Sequence, residues 1–328
     1  MTILIDQEIS KESWKQFYEQ HPQRSPFQSP DYYELFNSIP QQSARAFAVS
    51  SQKEIKALVV IAVHQEKGIK GFFSRRAIIY GGPLLSDLES AQLLLNTIEK
   101  YLKGKVIYIE TRNAYDFSNF TTIFHDCGWK FSPWLNYIMD IQTADSIAKN
   151  MSASRMRQIK KAQKSGVTWE IANDIESVKI FYNLLCELYE KKIKKPLMPW
   201  IFFEKFFKLK LGLYLVVKYN NQIIGGIMCP ILKNERIYEW YICGMDQEFR
   251  ESYPSVMATW AAIAYGLENN IPVFDFMGAG PPDDQYGVRD FKARFGGEEV
   301  NHGRYIKIMN PSLYQLGKWG LFLLSKLK

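Results

Sequence analysis

The chain has 328 residues, enough for two domains of ordinary size that each bury a core without disulfides or metal. Apolar residues make up 47% and charged residues 23%, which excludes a disordered or low-complexity chain. Basic residues outnumber acidic ones by 41 to 34, and the resulting +7 favours a polyanionic partner such as RNA, a nucleotide-linked substrate or an anionic membrane face. No partnership with DNA is expected. Cys127, Cys186, Cys229 and Cys243 lie far apart and form no CxxC or Cys/His cluster, so neither a zinc site nor a disulfide framework is suggested. Met1 to Trp14 lacks the basic-then-apolar order of a signal peptide, and no run approaches ~18 apolar residues; a soluble, cytoplasmic protein is the expectation.

In chain order, hydrophobic periodicity predicts a strand at 2–5, helices near 11–19 and 29–37, and strands at 45–49, 55–64 and 77–81. Ser86 and Glu89 form a capping-box pattern for a helix through Leu102 with Gly104 behind it. A strand at 106–111, a helix near 118–127 stopped by Gly128 and a strand at 135–141 complete the first half. The second half starts with a helix near 153–164 that stops at Gly166, then a strand at 167–172. Two helices follow, near 175–192 and 199–210, divided by Pro196 and Pro199. A meander of strands at 213–219, 222–232 and 237–243 leads to a helix at 254–268, a strand at 273–277, a short helix near 288–295 and a strand at 300–308. A last helix, 311–327, is expected to fold back on the first half. The order β, α, α, β, β, β, α, β, α, β thus occurs twice, and it resembles that of the GNAT acyltransferases. The expected fold class is α/β (α+β): tandem GNAT-like domains, each with a mixed, mostly antiparallel sheet flanked by helices. Residues 1–146 with the terminal helix 311–328 would form one domain and 147–310 the other.

The most distinctive stretch is Phe274 to Gly297, in which a strand, a Gly-rich turn, a short helix and a glycine stop follow one another. Asp275, Phe276, Gly278, Phe291, Lys292, Phe295 and Gly296 resemble the signature of the Fem family of peptidoglycan-bridge aminoacyl transferases. Phe27-Gln28-Ser29, Tyr80-Gly81-Gly82-Pro83-Leu84 and the basic run from Arg155 to Ala162 are similar to further fragments of that family. The resemblance implies transfer of an aminoacyl group from aminoacyl-tRNA to an amine of a cell-wall precursor, with no cofactor. A tRNA ester is already activated, so the protein has mainly to align the reactants, help remove a proton and stabilise an oxyanion. One departure stands out: many members carry a phosphate-holding basic residue where this chain has Phe36.

Candidate catalytic residues are Lys292, Asp275 and Glu239. Lys292 would stabilise the oxyanion or neutralise a tRNA phosphate, the alternative being a surface helical lysine. Asp275 is a carboxylate in an apolar strand, where it needs either a partner or a role. Alternation predicts that Glu239 shares a face with Tyr241, as base and substrate-binding ring respectively. Candidate substrate-binding residues are Phe291 beside Lys292, Arg155 and Arg157 on a basic helix facing phosphates, and Gly81 and Gly82, which would let a substrate approach the backbone. Glu110 and Arg112 complete the set, with a structural ion pair as the plain alternative. Asp283 and Asp284, beside Gln285 and Tyr286, have no accompanying ligand set, so no metal is expected. The four histidines lack a triad-like neighbourhood and no GxSxG is present, which sets hydrolases aside.

Two other functions compete. An acyl-CoA-dependent N-acyltransferase of polysaccharide or lipid biosynthesis would need a pyrophosphate cradle, but Asp246 to Ser255 contains no glycine, three acids and a proline. A non-catalytic binding protein would keep the fold without the activity. In the C-terminal run, Leu316, Trp319, Leu321, Phe322, Leu324 and Leu327 mix with Lys318, Lys326 and Lys328 in an amphipathic pattern that suits either packing on the protein or peripheral contact with a membrane surface.

Overall fold

The computed structural model describes residues 1–40, 42–65, 71, 74–284 and 287–326; Gln285 and Tyr286 of the acidic loop, and Leu327 and Lys328, lie outside them. The chain divides into two compact units, Met1–Pro133 with His302–Lys328, and Trp134–Asn301. No described helix is long and apolar enough to cross a membrane.

In the first unit, strands β1 (Thr2–Ile5), β2 (Gln42–Ser51), β3 (Glu54–His64), β4 (Arg76–Gly81), β5 (Leu84–Leu85), β6 (Tyr108–Asn113) and β7 (Lys130–Ser132) share one sheet. Its helices are α1 (Lys11–Gln20), α2 (Pro30–Asn37), α3 (Leu88–Leu102) and α4 (Thr121–Asp126). Helix α3 shows why the sequence folds as it does. Ala91, Leu94, Leu95, Ile98 and Leu102 recur at helical spacing and are fully buried, each large side chain contributing about 1.5–3 kcal/mol by burial. Its N-cap is Asp87, whose carboxylate accepts from Ser90 N at 2.7 Å, rather than the expected Ser86.

The second unit holds β8 (Asn136–Asp140), α5 (Ala144–Asn150), α6 (Ala153–Lys164), β9 (Thr168–Ile171), α7 (Ile175–Leu188), α8 (Trp200–Lys208), β10 (Gly212–Tyr219) and β11 (Gln222–Leu232). It continues through β12 (Arg236–Tyr238), β13 (Tyr241–Gly244), α9 (Pro254–Glu268), β14 (Val273–Asp275), α10 (Gly287–Ala293) and β15 (Glu298–Val300). Its sheet runs β15-β8-β14-β12-β11-β10-β9, with β13 pairing β11. The chain then returns to the first unit through β16 (Arg304–Ile308) and α11 (Pro311–Lys326).

Both closing strands differ from the sequence expectation, which placed 135–141 in the first domain and read 300–308 as one strand of the second. Strand β8 pairs β14 and β15, whereas β16 inserts between β6 and β7 of the first sheet. Gly303, at φ +61°, breaks the predicted single strand. A Cβ there would overlap the ring of Phe131, so the chain turns where only glycine fits. Each half thus receives its last strand from the other half of the sequence, a pairing that periodicity cannot reveal because it is silent about partners.

Candidate functional site

Strands β12 and β13 are one line of chain interrupted at Glu239-Trp240. Ile237 stands opposite Ile231 of β11, but Tyr241 stands opposite Met228, so one extra residue is accommodated between them: a β-bulge. The bulge breaks alternation. Glu239 turns to α9, where it accepts from Thr259 Oγ1 at 3.2 Å, while Trp240 and Tyr241 both pack on α8, with centroids 5.0 Å from Phe202 and 5.1 Å from Phe203. The shared face expected for Glu239 and Tyr241 is therefore corrected. At the same place the sheet opens. Strand β14 follows β12 in parallel only as far as Asp275 opposite Tyr238, and β13 goes on paired to β11.

Beneath this opening lies a buried polar lock. Lys292, 7% exposed, reaches Glu239 Oε1 at 3.0 Å, Gly278 O at 3.0 Å and Phe276 O. An ammonium has three protons, and all three have acceptors within the unit. Asp275, 1% exposed, accepts from Asn136 Nδ2 at 2.7 Å and Met277 N at 2.8 Å, and pairs with Arg236 at 3.2 Å. Asn136 Oδ1 in turn accepts from Gly278 N at 2.7 Å. The three candidate catalytic residues thus meet at the loop after β14, where Met277 and Gly278 have positive φ: Lys292 and Asp275 bond its backbone, and Glu239 holds Lys292. Asn136, Arg236 and Thr259 were not singled out in the sequence. The signal available was a polar residue in an apolar setting, strongest for Thr259 within the largely buried α9.

Arg155 and Phe291 meet, but not around open space. The Arg155 guanidinium donates to Phe291 O at 2.9 Å and Gln158 Oε1 at 2.8 Å, and lies 4.5 Å and 4.4 Å from the ring centroids of Phe291 and Phe295. Burial, then the nearby Arg294, pull its pKa down to about 10, against the opposing pull of Asp246. The guanidinium ties α6 to α10 instead of facing solvent phosphates, while Arg157 stays exposed. At the N-terminus of α9, Asp246 accepts from Ser255 N at 3.0 Å and from its hydroxyl. The protein's own carboxylate occupies the place where a helix start would otherwise hold an anion.

In the first unit, Glu110 Oε1 accepts from Arg112 at 2.8 Å and Arg304 at 3.0 Å. Burial pushes the Glu110 carboxyl up, but the two arginines and Arg76 outweigh it and its pKa falls below the usual range. Burial pulls Arg304 down to about 10 despite that pairing. The Arg112 guanidinium lies 5.3 Å from the Tyr80 ring centroid, and Phe36 stacks on Tyr80 at 5.5 Å. Gly81 and Gly82 have φ of +80° and +87°, and a Cβ would run into Ser25 at the first and Phe117 at the second. The space beside these glycines is filled by their own unit. Among the described residues, no group of three His, Cys, Asp or Glu side chains is arranged to hold a metal ion.

A model of the FemAB family matches residues 218–319, the segment carrying Glu239, Tyr241, Asp275, Phe291 and Lys292. No curated protein matches the chain. Among solved structures, the chain is similar to FemX at 17% identity and a TM-score of 0.73, covering 96% of this chain and 99% of that one. It is also similar to the C-terminal domain of a putative lysylphosphatidylglycerol synthetase from Agrobacterium fabrum, at 14% identity and TM-score 0.60 over 96% of each chain. A tandem GNAT protein from the clavulanic acid biosynthesis pathway aligns at 10% identity and TM-score 0.56, over 94% of this chain and 99% of that one. The fold is accordingly the tandem GNAT-like α/β fold, and the resemblance to the Fem family holds over residues 218–319.

Proposed function

We propose that this protein is a Fem-like transferase that moves an aminoacyl group from aminoacyl-tRNA to an amine of a peptidoglycan precursor or a related cell-envelope acceptor. The observation that carries the reading is the opening between β13 and β14 above the Lys292–Glu239–Asp275 lock, within the segment that the FemAB model matches. Among the described residues β13 pairs with β11 as its neighbouring strand, and an extended substrate would run along its other side, toward β14. Tyr241 flanks that side. In this reading Lys292, Glu239 and Asp275 are positioning residues. They hold the bulge and the 276–280 loop rigid, so that backbone groups meet the reacting ester in a fixed geometry. The exposed Arg157 is the better of the two helix arginines for a phosphate.

The Asp246 cap on α9 argues against acyl-CoA as donor, because a pyrophosphate there would meet a carboxylate. A non-catalytic binding protein is the second reading, favoured by the complete internal pairing of Lys292. The experiment that separates them supplies labelled aminoacyl-tRNA, acetyl-CoA and long-chain acyl-CoA in parallel with a panel of cell-wall precursor amines. Transfer from the tRNA alone supports the first reading; silence from every donor, with saturable precursor binding, supports the second.

A further inference from the structure

At the end of the first unit where β6 begins and β16 stops, two features meet that the proposed chemistry does not use. Met309 N and Asn310 N both donate to Ile107 O, at 2.8 Å and 3.0 Å, so α11 starts against the turn that carries Lys103 and Lys105. Lys100, Lys103 and Lys105 are all exposed, and Lys105 lies 3.7 Å from the Tyr101 ring centroid. Helix α11 is seated through Tyr314, edge-on to Tyr108 at 5.5 Å. One turn further on, Leu316 and Trp319 are 55% and 69% exposed, with Lys318 exposed between them. From residue 311 to 328 the sequence contains three lysines and no acid.

We propose that α11 and the Lys100–Lys105 turn form a docking surface for an anionic phospholipid membrane, with α11 lying in the plane of the interface. Leu316 and Trp319 are spaced i, i+3, so they project from one side of the helix, and a tryptophan suits the headgroup boundary because its body is apolar and its N–H polar. The lysines supply attraction to anionic headgroups within a Debye length of the surface. Charge also selects the occupant. A second copy would bring the same acid-free, lysine-bearing helix against its own likeness, whereas an anionic bilayer complements it. The inference is independent of which group the protein transfers.

The test is sedimentation of the full-length protein with vesicles of phosphatidylcholine alone or mixed with phosphatidylglycerol, at low and high salt. Wild-type protein is expected to bind the mixed vesicles and to be released by salt. Leu316→Ser/Trp319→Ser removes exposed side chains and is expected to lower partitioning about tenfold or more. Lys100→Ala/Lys103→Ala/Lys105→Ala is expected to weaken binding to anionic vesicles by about fivefold per lysine. Matching circular dichroism and melting curves keep both comparisons on folded protein. The proposal is overturned by absence of wild-type binding to the mixed vesicles, by binding that both variants leave unchanged, or by a solution dimer that the Leu316/Trp319 variant dissolves.

Discussion

Lys292 and Glu239 are each nearly excluded from water, and removing one leaves the other as a buried charge with too few partners. Lys292→Ala and Glu239→Ala should each cost about 3–5 kcal/mol of stability in chemical denaturation. Lys292→Met combined with Glu239→Leu should recover much of that loss, because burying neither charge is cheaper than burying one alone. At the basic helix the two arginines should separate. Arg155→Ala loses its bond to Phe291 O and its packing on two rings and should melt earlier, while Arg157→Ala, at an exposed site, should stay within about 0.5 kcal/mol of wild type. Burial, then Arg76 and Arg112, pull the His64 pKa down to about 3, so the folded protein holds it neutral. The unfolded chain takes up that proton at about pH 6.5. His64 therefore contributes stability that is full above about pH 6.5 and is lost progressively as pH falls toward 3. Glu110, whose pKa is lowered by its arginines, adds a loss of the same sign as pH falls through its folded value. His64→Gln should flatten the stability profile between pH 3 and 6.5, measured by denaturation at a series of pH values. Asp275 was legible in the sequence as a charge among apolar neighbours, Lys292 through the Phe-Lys pair that resembles the Fem signature, and Glu239 through its place on the central strand. Their partners were not, because Asn136, Arg236 and Thr259 arrive from three separate elements.

Most of the element order was legible because hydrophobic periods of two and of 3.6 stand out against Gly, Pro and Asn punctuation, although the α3 cap falls at Asp87 rather than Ser86 and neither β7 nor α5 was expected. Two features of the sheets were also hidden. The bulge at Glu239-Trp240 leaves the strand composition unchanged and shows only as a slip against β11. The exchange of β8 and β16 is a choice of partner, which no period encodes. That exchange predicts that residues 1–133 alone fail to fold, since β7 loses the strand that joins it to β6. A polypeptide in which 302–328 is joined directly after 133 restores that strand. It should give dispersed amide resonances and a cooperative melt, neither of which 1–133 should show.

At the scale of the whole molecule, a tandem fold, a pair of splayed strands over a buried lock and a carboxylate-capped α9 all bear on one choice within the proposed function: which activated donor the protein would use. Closure of the α9 start by Asp246 argues that CoA is not that donor, and the opening beside β13 argues for an extended substrate. The most direct measurement is transfer of labelled amino acid from aminoacyl-tRNA to cell-wall precursor amines, run beside acetyl-CoA and long-chain acyl-CoA, for wild type and for Lys292→Met/Glu239→Leu. Transfer from aminoacyl-tRNA, depressed at least about tenfold in the folded double variant through lost positioning, is the predicted result. Transfer from CoA alone, or tRNA-dependent transfer unchanged in the double variant, would contradict it.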